Sequence, residues 1–296
     1  MSAINIRSFT DSDIRAVWQL VSVSKPEVLP PDWPTSLTEL RRVALLHPRS
    51  SQAGSLIAEV NGKIVGCLVF HSYDEEGTAL ICLVAVTPEA QRMGVGRELM
   101  GAWERNARER GLKRLYAPET PSEDTEFVAF AEKFGMRRVG VIVAYERRAE
   151  GISPPGEDEH VVPIATVSLS EVTAAFNECF PNTPRTQEDL HALIIGSRWG
   201  PWASLAYVEG QRVLAFLFTS DRAGRPYLQY VGTRPEARRR GAAVLLLRHA
   251  LHVLQQGGAR DVECEVFEEN KQAARLAESV GLRPGRSRIA YEKLLT

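Results

Sequence analysis

The sequence is poor in cysteine, nearly neutral, and without any long apolar run. Its four cysteines, Cys67, Cys82, Cys179 and Cys264, stand far apart, with no CxxC pair and no histidine at metal-ligand spacing. That excludes a disulfide framework and predicts no metal site. His249 and His252 sit three apart but have no acidic or thiol partner nearby in sequence. A formal charge of −1 supplies no field for nucleic acid or anionic lipid, so neither is expected as a partner. No stretch approaches the roughly 18 to 20 apolar residues that span a bilayer. The opening MSAINIRSFTDSDIRAVW lacks the basic-then-apolar order of a secretory leader. A cytoplasmic protein, away from any membrane, is the expectation.

What the chain does have is a repeat. PEAQRMGVG at 88–96 returns as PEARRRGAA at 235–243, and the surroundings return with it. SLIAEVNGKIVGCLVF (55–70) and SLAYVEGQRVLAFLF (204–218) both read as hairpins, with turns at Asn61-Gly62 and Glu209-Gly210. ALICLVAV (79–86) and PYLQYVGT (226–233) read as strands. The segments after the short pattern carry apolar residues at helical spacing and stop at Gly111 and Gly257. Further strands, KRLYAP and DVECEV, precede helices ending AEKFGM and AESVGL; each half closes on a strand, VAYERR (143–148) or IAYEKL (289–294). The segment 149–163, rich in Pro, Gly and acid, reads as a linker. Two domains are therefore expected, residues 1–150 and 160–296, about the size that one hydrophobic core supports.

The repeated pattern is [QR]-x-x-G-x-[GA], in Gln91-Arg92-Met93-Gly94-Val95-Gly96 and in Arg238-Arg239-Arg240-Gly241-Ala242-Ala243. It joins a strand to a helix. A helix's first turn carries unpaired N–H groups and the positive end of its dipole, so it attracts an anion such as a pyrophosphate. Glycine lets phosphate oxygens approach the backbone, and the arginines offer charge-assisted contacts. Neither the GxGxxG of a dinucleotide fold nor the GK[ST] of a P-loop is present. A tight turn flanked by solvated arginines is the plainer alternative.

On this motif and its context in both halves, the chain resembles the GNAT superfamily of acyl-CoA-dependent N-acyltransferases. The resemblance implies an α/β (α+β) fold of two tandem GNAT-like domains, each a mixed, mostly antiparallel sheet with a splayed strand pair, flanked by helices. It implies acetyl-CoA as acyl donor, an amine acceptor and no metal. It assigns coenzyme contacts to the backbone of Val84, Ala85 and Val86, and of Val231, Gly232 and Thr233. Further contacts fall on the two phosphate turns with the next residues, Arg97 and Val244. Asn270 matches the family's coenzyme-flanking helix in the second half, where the first half has Glu123 or Asp124.

The family's tyrosine acid does not carry over, because Ala131 and Ala277 occupy its place. Glu263 and Tyr230 are the catalytic candidates left, with Tyr116, Tyr145, Tyr291 and Glu265 close to the same strands. LPPDWPTS (29–36) and SRWGPW (197–202) read either as simple loop packing or as walls of an acceptor site. Both halves are expected to bind coenzyme, with catalysis favoured in the second. The function implied is acetyl transfer to a primary amine of a small molecule or peptide by direct attack on the thioester. A non-catalytic acyl-CoA-binding or scaffold protein is the competing reading.

Overall fold

Asn61 and Gly62 both adopt left-handed backbone, φ 51° and 73°, which gives a two-residue hairpin loop the twist its strands need. The structure, a computed structural model, describes residues 3–24, 34, 36–45, 55–73, 77–121, 125–156, 158–222 and 224–295. It contains two compact units: residues 1–142 with 287–296, and residues 143–286.

In chain order the elements are β1 (Ile4–Ser8), α1 (Ile14–Val23), α2 (Leu37–Leu45), β2 (Leu56–Val60), β3 (Lys63–Tyr73), β4 (Thr78–Val86), α3 (Val95–Glu109), β5 (Arg114–Pro121), α4 (Thr125–Lys133) and β6 (Arg137–Arg148). There follow β7 (Val161–Pro163), α5 (Leu169–Cys179), α6 (Gln187–Ile195), α7 (Gly200–Ala203), β8 (Leu205–Glu209), β9 (Arg212–Arg222), β10 (Arg225–Thr233), α8 (Ala242–Gln256), β11 (Asp261–Phe267), α9 (Lys271–Ser279) and β12 (Arg283–Leu294).

In the first unit β1, β2, β3 and β4 form antiparallel neighbours, and β5 pairs with β4 in parallel. The far edge of β5 is covered by β12, antiparallel, from Arg288↔Pro121 to Leu294↔Arg114. Two apolar layers sandwich this sheet. On one face α3 buries Val95, Leu99, Met100, Trp103 and Ala107, an apolar stripe at helical spacing, against Leu56, Leu68, Phe70 and Ile289 with Tyr291. On the other face Val17, Leu20 and Val21 of α1 and Leu40 of α2 pack on Cys67, Val69, Leu83 and Ala85.

The second unit repeats the plan. Its strands β8, β9 and β10 are antiparallel, and β11 pairs with β10 in parallel. The stripe of α8, Leu246, Leu247, Ala250, Leu251 and Leu254, packs with Tyr145, Leu217 and Val262. Phe176 of α5, with Phe216 and Phe218, fills the opposite face. The closing strand of each sequence repeat is counted in the unit built by the other: residues 143–148 belong to the second unit and 289–294 to the first.

Three local details bear on the sequence reading. The second hairpin loop is Gly210-Gln211, because Glu209 pairs with Arg212, and only Gly210 has positive φ there. Helix α8 ends at Gln256 with Gly257 as its C-cap, as the sequence reads; the left-handed Gly258 follows, φ 81°, and Gly257 also makes room for Trp202, whose ring carbon lies 2.3 Å from where a Cβ would stand. In SRWGPW, Trp199 is buried and packs with Trp202 in the α8 layer, while Arg198 and Pro201 are exposed. Most of LPPDWPTS lies outside the described residues.

Candidate coenzyme site

Strands β4 and β5 pair only at Thr78↔Arg114, Ala79↔Leu115 and Leu80↔Tyr116. Beyond Leu80 they part, so among the described residues one edge of β4 from Ile81 to Val86 has no strand partner in the ladder. In the second unit the parallel pairing is confined to Tyr227↔Glu263. Each splay is accompanied by a bulge, at Cys82 in β4 and at Gln229 in β10. The bulges lie in the pairing with β3 and with β9, on the edge away from the fork, and an extra residue there bends the strand and increases its twist.

At the end of each forked strand comes the glycine turn of the repeated motif. Gly94 caps α3 with φ 91°, ψ 0°, and Gly241 caps α8 with φ 87°, ψ −5°; neither offers a side-chain cap. The first helical N–H groups therefore remain open to an outside acceptor. Two residues earlier, Arg92 and Arg239 hold positive φ of 61° and 62°, a conformation that costs a non-glycine residue about 1 kcal/mol or more. Both repeats keep this strain at the same place. The first residue of the motif has a role of its own: Gln91 Nε2 donates to the Val86 carbonyl at 3.5 Å, and Arg238 Nε donates to the Thr233 carbonyl at 3.2 Å. Each tethers the turn to the last residue of its forked strand.

In the first unit these parts line a cleft of about 1220 Å³. Val84, Ala85 and Val86 form one wall, and Gln91, Arg92, Gly94, Val95, Gly96 and Arg97 the end at the glycine turn. Arg105 of α3 and Lys133 of α4 bring the cations to four, against Glu98 and Glu126, so the cleft suits an anionic ligand. Met93 stands 54% exposed at the turn's tip. Sequence reasoning missed the opposite wall, Phe127, Phe130 and Phe134. Their spacing reads as an ordinary core stripe, and all three do pack partly against the α3 layer. Glu123 and Asp124 lie outside the described residues.

In the second unit Val231, Gly232 and Thr233 end β10, and Ala242, Ala243 and Val244 open α8. A Cβ on Gly232 would lie 2.3 Å from the Phe216 ring, so packing alone demands this glycine. Of the three arginines, Arg238 is tethered as described, Arg240 pairs with Glu209, and Arg239 is exposed. Asn270 is engaged as the cap of α9, its Oδ1 accepting the Ala273 N–H at 3.1 Å.

The catalytic candidates have other partners. Glu263 lies 3.6 Å from Arg222, which also holds Glu265. Tyr230 packs edge-on between Phe176 and Phe180, ring centroids 5.2 and 5.7 Å away. Tyr116 lies under the Arg114 guanidinium. Tyr145 and Tyr291 are core residues whose phenols are pushed up by burial, with Glu278 and Glu132 respectively adding to the effect. Among the described residues no cluster of His, Cys, Asp and Glu is placed to hold a metal, and no helix is long and apolar enough to cross a membrane.

The model of the acetyltransferase (GNAT) family matches residues 14–136 and 169–282, leaving out the two closing strands. The chain is 25% identical over 264 residues to the mycothiol acetyltransferase of Actinosynnema mirum, covering 83% of this chain and 86% of that one. It is 28% identical over 260 residues to the mycothiol acetyltransferase of Thermomonospora curvata, with 82% and 83% covered. The fold is similar to that of a GCN5-related N-acetyltransferase from Sphaerobacter thermophilus, with TM-score 0.78 at 20% identity over 98% of this chain and 95% of that one. It is also similar to a tandem GNAT protein from the clavulanic acid biosynthesis pathway, with TM-score 0.75 at 15% identity over 99% and 98%. With both repeats matched and the forked strand and glycine-capped turn present twice, the chain belongs to the GNAT acetyltransferase family and is a tandem-repeat N-acetyltransferase.

Proposed function

We propose that the chain transfers an acetyl group from acetyl-CoA to a primary amine of a small molecule or peptide, by direct attack of the uncharged amine on the thioester. The observation that carries this reading is the first unit's cleft, where an unpaired strand edge, an uncapped helix N-terminus and four cations face one space. The pyrophosphate would rest on the N–H groups opening α3, with Arg92 and Arg97 beside it. The pantetheine arm would extend along Val84–Val86 as an added strand, placing the thioester toward the fork. Backbone N–H groups of the forked strand would then stabilise the oxyanion as it forms.

The second unit has the same turn geometry, and we read residues 1–150 and 160–296 as two copies of one ancestral acyltransferase domain. We place the working coenzyme site in the first. The sequence reading has both halves binding coenzyme and favours the second only for catalysis, on Asn270, whose side chain is occupied in capping α9. The relatives' shared name, mycothiol acetyltransferase, supports acetyl transfer as the reaction class and leaves the acceptor to experiment. Four free cysteines fit a reducing, cytoplasmic compartment.

Thiol release from acetyl-CoA against a panel of amines, run beside calorimetry, tests the reading. One coenzyme per chain with turnover on at least one amine is expected. Binding without turnover on any amine would leave only a coenzyme-binding protein, and no binding at all would overturn the assignment of the cleft.

A further inference from the structure

The first unit's cleft has a second cationic pole, away from its glycine turn. On α3, Arg97, Gly101 and Arg105 follow at i, i+4 and i+8, so they share one face of the helix, and all three line the cleft. A Cβ on Gly101 would lie 3.4 Å from Nη1 of Arg105. The Arg105 side chain therefore lies back over the bare backbone of Gly101, toward the turn. With Gly94 as the helix cap, Gly101 stands about 10 Å along the axis from the turn, at about 1.5 Å of rise per residue.

Lys133 of α4 borders the same stretch. Lys293 Nζ donates to Glu104 Oε2 of α3 at 2.6 Å and to the Phe134 carbonyl of α4 at 3.2 Å, which sets the two helices level at these residues. Their chain neighbours, Arg105 and Lys133, both line the cleft. At the other end Glu126 of α4 lies 3.9 Å from Arg92 in the turn. The cleft thus runs along both helices from the turn to the second pole.

The charges of that pole are not neutralised within the unit. Arg108 and Lys293 both pair with Glu104. Among the described residues Arg97, Arg105 and Lys133 have no carboxylate partner, and all three are exposed. The second unit has no such pole. Aligning the two motifs puts Val244, Arg248 and His252 at the places of Arg97, Gly101 and Arg105, and aligning AEKFGM with AESVGL puts Ser279 at that of Lys133. The glycine turn is common to both halves, whereas the second pole belongs to one.

We propose that Arg105 and Lys133 bind the phosphate monoester on the ribose of coenzyme A, so that the first unit selects acetyl-CoA over the same thioester lacking that phosphate. The inference rests on the coenzyme reading of the cleft and adds a second anchor to it. Coenzyme A carries its pyrophosphate and its monoester on one ribose. With the pyrophosphate on the N–H groups opening α3 and Arg97 beside it, the monoester stands one sugar away, an interval that the ribose and the folded-back guanidinium span together. At neutral pH a phosphate monoester holds about −1.5 to −2 charges. It accepts paired N–H donors from the Arg105 fork and meets the compact charge of Lys133.

Calorimetry of the full chain with acetyl-CoA and with acetyl-dephospho-CoA tests this. We expect the parent to bind acetyl-CoA about tenfold more tightly, the scale of two charge-assisted contacts at an open site, with the gap shrinking as salt is raised. In the double variant Arg105→Gln with Lys133→Gln the two compounds should bind alike, near the parent's affinity for the dephospho compound. Arg108→Gln, which removes a positive charge from the same helix outside the cleft lining, should keep the gap. Equal affinity of the parent for both compounds overturns the proposal, whatever the variants do. So does a gap that survives in the double variant, or one that Arg108→Gln closes equally. If the parent binds neither compound, the coenzyme reading of the cleft falls first and this proposal with it.

Discussion

Gly96, in the first turn of α3, stands directly against Phe130 of α4: a Cβ at Gly96 would lie 3.4 Å from the ring's Cζ. The glycine therefore keeps the cleft open between the two helices, and its backbone φ is not left-handed. Gly96→Leu should fill that space and lower acetyl-CoA affinity at least tenfold, about 1.4 kcal/mol. The thermal midpoint should hold or rise slightly, because leucine is the better helix residue by up to about 1 kcal/mol. Calorimetry and a melting curve on one preparation check both halves of the statement.

Gly94 behaves differently. A side chain there meets open space, yet φ of 91° disfavours any L-residue. Gly94→Ala should cost about 1–2 kcal/mol of stability before any ligand is considered, a drop of a few degrees in midpoint for a unit of this size. Gly241→Ala should behave alike. Binding losses in variants of these two glycines must accordingly be read against their stability.

Gly232 tests packing without ligand. Gly232→Ala should destabilise the second unit by about 1–3 kcal/mol, because the new methyl overlaps the Phe216 ring. Combining it with Phe216→Leu should recover part of the loss. A double-mutant cycle by denaturant unfolding measures the coupling, and strict additivity would exclude the clash as the cause.

Acid should loosen the start of the first unit. Two hydrogen bonds from the Arg7 guanidinium to Asp13, each 2.8 Å, with further bonds from Thr10, hold the Asp13 carboxyl well below the usual carboxylate range. A lowered folded pKa means that this stabilisation is complete above the unfolded value, about 4, and is lost as pH falls from there through the folded one. Asp13→Asn should thus be less stable than the parent at pH 7 by about 1–3 kcal/mol. The gap should narrow as pH is lowered toward 2, which urea titrations at several pH values would show.

The repeat, the hairpins and the glycine turns were legible because they are local. Glycine at a left-handed position, alternating apolar strands and helical stripes each leave a mark within a dozen residues. The forked strand pair came only with the family resemblance, since nothing in ALICLVAV says where pairing with KRLYAP stops. Phe127, Phe130 and Phe134 were hidden for a physical reason: an aromatic wall of a cleft and an aromatic core stripe have the same spacing. The near-identity of VAYERR and IAYEKL likewise conceals that Tyr145 and Tyr291 lie in the cores of opposite units.

Deleting residues 287–296 should therefore damage the far end of the sequence. Ile289 and Tyr291 leave the α3 layer, and β5 loses its partner from Arg114 to Pro121. Hydrogen exchange should speed up across β5 and α3, and a synthetic peptide of 287–295 should restore protection. Unchanged exchange in the first unit would show that the strand is dispensable there.

The exchanged closing strands also set an order of assembly during synthesis. Residues 1–142 leave the ribosome first, yet the strand that completes their sheet emerges only after the whole of 143–286. At translation rates of about 5–20 residues per second, the first unit waits on the order of ten seconds with the outer edge of β5 uncovered. The second unit, by contrast, receives residues 143–148 before any other part of itself and can close as soon as its own chain is out. The unit made first is the one finished last, and in that interval it is the half exposed to chaperones, to proteases and to the unpaired edges of neighbouring chains.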